Sequence, residues 1–485
     1  MRQLHVFLVL LLATVATAAP TDDLQKRLND LDEIQGDDAL ESWRELGAAA
    51  IATEALPDGI AKQQLRDVHP GVEGWDDAVE WAQANADLQD AIKIVSERQF
   101  FGLPYGSDAV PDDFAAAGFS VSLPDLETSI SPTFEWLRHL ERIAIWSKVE
   151  AWRRFQDGDT SGGIELMVDS IGMLRKASDR GFLVEKQTAI SLLLDSVVAL
   201  REMVYLNLDD VSHERLRELA KQLAKVRVDR DRLLMPEHDR FVHQAMIDQA
   251  FNHGNGKVDE DAFRRRFTQM QGEVAPVAHA GIDSRWRNLA GQQASLEASR
   301  EQLDNLYDDW WRRWRVRSGT DLAMMILAEP PYAERLNAVR YAGILATLGD
   351  MDRLFADRDR LVVELQASSV ASGLAAYKSL RGDYPVAKRM AWGVDVPRKS
   401  DTDRFSVKTK PFIYFVPQTD WTVKVGAGQA VIPAGTGILY SRGRDGFDNS
   451  AKRHAVDGFD GDLIIWPPIS AFNVKPTVTP IDESS

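Results

Sequence analysis

Apolar residues recur at spacings of three, four and seven along most of this chain, the period at which an α-helix buries one face. Leu24, Leu28 and Leu31 open the pattern, and Val79, Ala82 and Leu88 continue it between the turn signals Pro57-Asp58-Gly59 and Pro70-Gly71. From 101 to 131 it fails, because Gly102, Pro104, Gly106, Pro111, Gly118 and Pro124 punctuate the stretch. A loop of that length in a compact protein reads as a functional cover or a mobile connector. Helical spacing returns after Ser131-Pro132, which suits an N-cap followed by proline in the first turn, and runs toward Phe155 before Asp157-Gly158-Asp159. Further helices are expected after Thr160 or Ser161, covering Ile164 to Leu174, and from about 183 to 206. The latter is apolar around most of its circumference (Leu183, Ile190, Leu193, Leu194, Val197, Val198, Leu200, Val204), as a central buried helix should be. Ser212 caps another, with Leu216, Leu219, Leu223 and Val226 on one face, and long helices follow over about 293–317 and 351–379.

Beyond Arg381-Gly382-Asp383-Tyr384-Pro385 the period changes to two. Phe412-Ile413-Tyr414-Phe415-Val416 and Thr422-Val423-Lys424-Val425 are short strands among Gly and Pro, so the chain ends in a β module. The expected fold class is mainly α: an irregular helical bundle or short helix-hairpin array, then a small α+β module with an antiparallel sheet. A weak likeness of residues 135–230 to tetratricopeptide-type arrays lacks a repeat of fixed period. The segments expected are 20–130, helical with the long loop; 131–354, the bundle; 355–475, the α+β module; and 476–485, a flexible tail.

Arg2, the apolar run Val6 to Val15 and the small residues Ala16-Thr17-Ala18-Ala19 precede Pro20. They read as a secretory signal peptide over 1–19, with an apolar part too short to span a bilayer. The chain has no cysteine, so its core holds by packing without disulfides, and thiolate metal sites and thiol chemistry are excluded. A periplasmic or secreted protein of bacterial type is the expectation, without stable membrane insertion after cleavage. The net charge of −17, from 74 acidic and 57 basic side chains, repels nucleic acid and anionic lipid. Its plainest reading is solubility.

One stretch carries chemistry. The strand ending at Leu439-Tyr440-Ser441 breaks into Arg442-Gly443-Arg444-Asp445-Gly446-Phe447-Asp448, and Gly461-Asp462 follows. Carboxylates of Asp445, Asp448 and Asp462 with carbonyls of Leu439 or Ser441 would supply the hard oxygens calcium takes. Asp445-Gly446 and Asp460-Gly461 also read as ordinary hairpin turns. The end of the last helix, Leu374-Ala375-Ala376-Tyr377-Lys378, with Gly382-Asp383-Tyr384-Pro385 and Ser441-x-Gly443-x-Asp445-Gly446, resembles the globular domain of type II secretion pseudopilins of the calcium-loop type. The resemblance implies a small antiparallel sheet and a calcium ion over roughly 355–470, attached here to the helical domain of an exported bacterial protein. The pseudopilin leader and polymerising N-terminal helix are missing, so filament assembly is not implied.

Other clusters have structural readings. Tyr307, Trp310, Trp311 and Trp314 interleave with Arg312, Arg313, Arg315 and Arg317. Asp308 and Asp309 stand four positions ahead of two of these arginines, which suits helical ion pairs, with Tyr307, Trp311 and Trp314 on a buried face. His238 and His243 are five apart, so no zinc pair is formed, and they read as surface histidines, as does His139 beside Glu135. The segment 252–262 is a polar turn lacking the ligand spacing of a calcium loop. No nucleophile elbow, phosphate loop or distinct carboxylate pair is present. The expected role is an exported binding or scaffold protein that presents a groove to a protein partner, with calcium in its terminal module. A periplasmic hydrolase using acidic residues in a cleft under the 101–131 loop is the alternative.

Overall fold

In a computed structural model the described residues are 20–31, 42–124, 132–226, 233–252, 255–267, 283–316, 325–326, 328–392, 395–406, 410–455, 460–472 and 475–476. Residues 1–19, where the signal peptide is expected, Ser131 and residues 477–485 lie outside them. The chain is mainly helical with a small C-terminal module of short strands. Among the described residues no helix is long and apolar enough to cross a membrane.

The central helix runs Leu183–Leu206, as its apolar circumference requires, and is buried along most of its length. Around it pack Trp136–Gln156, Thr160–Ala177 and the long helix Met351–Arg381. Caps set the helix ends: Asp159, Ser212 and Asp350 each accept from a backbone N–H three residues ahead. With Asp159 as its cap, the helix expected after Thr160 or Ser161 begins at Thr160 and runs to Ala177. The helix expected from Ser131-Pro132 begins later, because Thr133 exchanges backbone hydrogen bonds with Ser122.

The strands are β1 (Phe251–Asn252) and β2 (Lys257–Val258), a small hairpin, then β3 (Ile413–Phe415), β4 (Trp421–Val425), β5 (Gly428–Ile432), β6 (Ile438–Ser441), β7 (Arg453–His454), β8 (Leu463–Trp466) and β9 (Lys475–Pro476). The terminal module holds two sheets where one was expected. One is antiparallel with order β3-β6-β8, and the other has order β7-β4-β5-β9, with β7 parallel to β4. Every residue of β6 and β8 is buried. Side chains of a strand alternate between faces, and here both faces meet a core. Leu439, Leu463 and Ile465 join the core of the helical body, whereas Ile438, Tyr440 and Ile464 join a second core between the sheets. The 355 boundary consequently falls inside the long helix.

Two connecting stretches differ from expectation. In the described part of the long loop, 101–124, Phe101, Leu103, Tyr105, Phe119 and Val121 are buried. Tyr105 Oη and Trp136 Nε1 both donate to the buried carboxylate of Glu185, each at 3.0 Å, tying the loop to the start of the central helix. The loop is thus part of the core and not a cover. Pro385, Gly393, Pro397 and the polar run Arg398 to Arg404 give 380–410 the composition of a linker, but its described residues are anchored: Lys388 Nζ donates to Asp401 Oδ1 at 2.6 Å, and Asp395, Ser400, Asp401 and Asp403 are buried. The aromatic cluster is core as expected, with a change of member. Tyr307, Trp310 and Trp314 are buried, but Trp311 is half-buried and donates to Glu237. Asp309 pairs with both Arg312 and Arg313, at 2.6 and 2.8 Å. His238 and His243 are buried, not on the surface.

Candidate functional site

The expected calcium residues do meet around one loop, and hydrogen bonds of the loop itself engage them. Asp445 Oδ1 accepts from the Phe447 N–H at 2.9 Å, an exposed turn contact. Asp448 Oδ1 accepts from Tyr440 Oη at 3.0 Å and the Ser450 N–H at 2.9 Å, and its other oxygen lies 3.5 Å from Arg442. Asp462 is buried, and its two oxygens accept from Asn449 and Ala451 N–H groups at 3.2 and 2.7 Å. Ser441 Oγ donates to Asp403 at 2.8 Å, and Leu439 sits in β6 with Tyr414 opposite on one side and Trp466 on the other. Burial, with the nearby charges of Asp448 and Asp445, pushes the Asp462 carboxyl up to about 6 against its backbone hydrogen bonds. Among the described residues no group of three His, Cys, Asp or Glu side chains is placed to hold a metal ion.

A second place gathers more charge. A cleft of about 370 Å³ opens where the helical body meets the terminal sheets, lined by Arg66 and Asp67, by Asp195, Val198, Arg201 and Glu202 of the central helix, by Arg360 and Glu364 of the long helix, and by His454, Ile464 and Ser470 of the module. Residues 195, 198 and 202 share a face because three and four steps complete a helical turn. Residues 360 and 364 do likewise on the neighbouring helix. Burial orders them by depth: Glu364 and Arg201 are buried at the floor, Asp195, Glu202, Arg360 and His454 are half-buried walls, and Arg66, Asp67 and Ser470 are exposed at the rim.

The floor is an ion pair. Arg201 Nη1 donates to Glu364 Oε2 at 2.7 Å and to Ser368 Oγ at 2.8 Å. Arg360 Nε stands 3.7 Å from Glu364 Oε1, beyond hydrogen-bond length. The Nε–H groups of Arg201 and Arg360 are both buried without an acceptor among the described residues. Such donors each cost roughly 1–3 kcal/mol when left unsatisfied. Burial pushes Glu364 upward, but the charges of Arg201 and Arg360 outweigh it and hold the carboxyl below its ordinary range. Burial pushes Asp195 upward, against Lys148, Arg360 and Arg66. Lys148 donates to the Leu65 and Arg66 carbonyls at 2.8 and 3.0 Å, fixing the rim segment to the helices.

His454 has a defined role in this geometry. The Ile464 N–H donates to its Nδ1 at 3.2 Å, so that nitrogen presents a lone pair and the ring proton of the neutral form sits on Nε2. Burial lowers its pKa to about 4, with Glu364 opposing and the two arginines reinforcing. At neutral pH the ring is an uncharged donor with no free basic nitrogen. Comparison with family models, curated proteins and solved structures gives no match to this chain, so the pseudopilin resemblance rests on the terminal motif alone. The cleft itself is not legible in the sequence, because its residues lie hundreds of positions apart on two helices, short strands and the connections beside them. The one local hint was a pair of charges, Arg201 and Glu202, interrupting an apolar helix.

Proposed function

We propose that this chain is an exported binding protein that holds a small polar ligand in the cleft between its helices and its terminal sheets. The observation that carries the reading is the convergence of charged side chains on one cavity of about 370 Å³: Arg201 and Arg360 with Glu364 on one side, and the carboxylates of Asp195 and Glu202 on the other. Pockets of this size suit small ligands, which narrows the expected partner from a protein to a molecule or a single chain end. The leader-like residues 1–19 support export. Hydrolysis is less well supported, because Glu364 is locked by arginines and His454 has no free basic nitrogen, which leaves only the carboxylates of Asp195, Glu202 and Asp67 for proton transfer. Native mass spectrometry after incubation with a polar metabolite extract tests the reading. A bound mass should appear and should vanish in Val198→Trp, which fills the cleft; a Val198→Trp variant that retains every adduct of the parent overturns it.

A second reading keeps calcium at the terminal loop, and the observation favouring it is that Asp445, Asp448 and Asp462 lie close enough to feel one another's charge. An ion that binds only the folded form stabilises it by mass action. A melting temperature that rises with millimolar calcium in the parent but not in Asp445→Ala supports the ion. A curve unmoved by calcium and by chelator leaves the loop as a hydrogen-bonded turn.

A further inference from the structure

The cleft separates groups of opposite charge. At the floor and on one wall stand the guanidinium groups of Arg201 and Arg360 and the Nε2–H of His454. Arg201 is 7% exposed, so its unused donor lies in a region where a hydrogen bond counts for more than it would in water. Glu364 takes Arg201 Nη1 and not its Nε, and its single charge is shared between two guanidinium groups. A planar carboxylate is the natural acceptor for such a set, because guanidinium N–H groups match its two oxygens.

The opposite need stands on the central helix. Asp195 and Glu202, two turns apart on one face, line the same cavity without a hydrogen bond to any described residue, although the charge of Lys148 reaches both. Half-buried carboxylates call for donors, and a cationic amino group gives them most. A simple anion would satisfy the floor and suffer repulsion from these walls, whereas a simple cation would leave the floor unsatisfied. Resting on the cleft as the binding site, we infer that it is built for a small zwitterion, a free amino acid or a short peptide with both termini charged, its carboxylate meeting Arg201, Arg360 and His454 and its ammonium meeting Asp195 and Glu202.

Isothermal titration of the full chain with dialanine, N-acetyl-dialanine, dialanine amide, free alanine and inorganic phosphate tests this. Dialanine or alanine should bind, with blocking of either terminus weakening dialanine at least tenfold and phosphate binding more weakly than the zwitterion. Arg360 and Glu202 are half-buried, so Arg360→Gln and Glu202→Gln should fold. Arg360→Gln should erase the preference for the free carboxylate, and Glu202→Gln the preference for the free ammonium. Blocked peptides or phosphate that bind as tightly as the zwitterion overturn this inference while leaving the cleft as a binding site. No titration by any of the five, alongside a Val198-dependent adduct from the extract, also overturns the zwitterion and spares the wider reading; loss of both signals removes the two together.

Discussion

Glu364 and Arg201 hold opposite charges at the buried floor of the cleft, where each depends on the other to offset lost hydration. Glu364→Gln leaves a buried guanidinium uncompensated and should cost about 3–5 kcal/mol in urea unfolding. The double change Glu364→Leu with Arg201→Met should cost clearly less, because neither charge is then stranded. Buried titratable groups also shape the response to acid. Burial lowers His238, His243 and His454 to about 4 from the ordinary 6.5, so they stay neutral in the folded chain while the unfolded chain takes up protons. Each histidine removes about 1.4 kcal/mol of stability per pH unit as pH falls from about 6.5 toward 4. Asp239 and Asp462, raised mainly by burial to about 7 and about 6, act oppositely by binding protons first in the folded state. His243→Phe should therefore flatten the stability–pH curve between 6.5 and 4, and Asp239→Asn should steepen the acid loss; denaturant titrations at stepped pH read both. None of this was visible in sequence. His238 lies against Tyr105 and Phe182, with ring centroids at 4.8 and 5.4 Å, and no local pattern ties position 238 to 105.

Helices and strands were the legible level, since period and capping are local. The central helix occupies the expected span 183–206, and Ser212 caps the next helix as its position suggests. The stretch 101–124 was misread for an instructive reason: Gly and Pro correctly exclude a helix, but they say nothing of burial. What holds it down is the bond from Tyr105 to Glu185, eighty positions away. Two changes test individual elements. A methyl group added at Gly373 on the long helix would come within 2.5 Å of the Asp395 carbonyl oxygen, so Gly373→Ala should displace the 395–396 segment and cost about 1–3 kcal/mol. Asp462→Ala removes the acceptor of the Asn449 and Ala451 N–H groups, where Ser450 and Ala451 adopt φ of 56° and 54°. Hydrogen exchange should speed at 449–451 in that variant while the central helix stays protected.

For the molecule as a whole, the decisive feature is that β6 and β8 form a wall between two cores. The general architecture, helices first and strands last, could be read from the switch of period near residue 385, but a two-unit chain with a linker could not be told from a continuous one. Shared burial makes the chain continuous, so limited proteolysis should spare 380–392 and 395–406 in the folded protein, and a scan should show the terminal sheets melting together with the helices rather than earlier. Early cleavage at those positions with the helical signal intact would show the opposite. The cleft follows the same logic on a longer span, drawing its sides from Arg66 near one end and Ser470 near the other. Synthesis must therefore have passed residue 470 before the cavity is complete, so a chain stopped before 454 by a nonsense codon lacks the wall that His454, Ile464 and Ser470 supply.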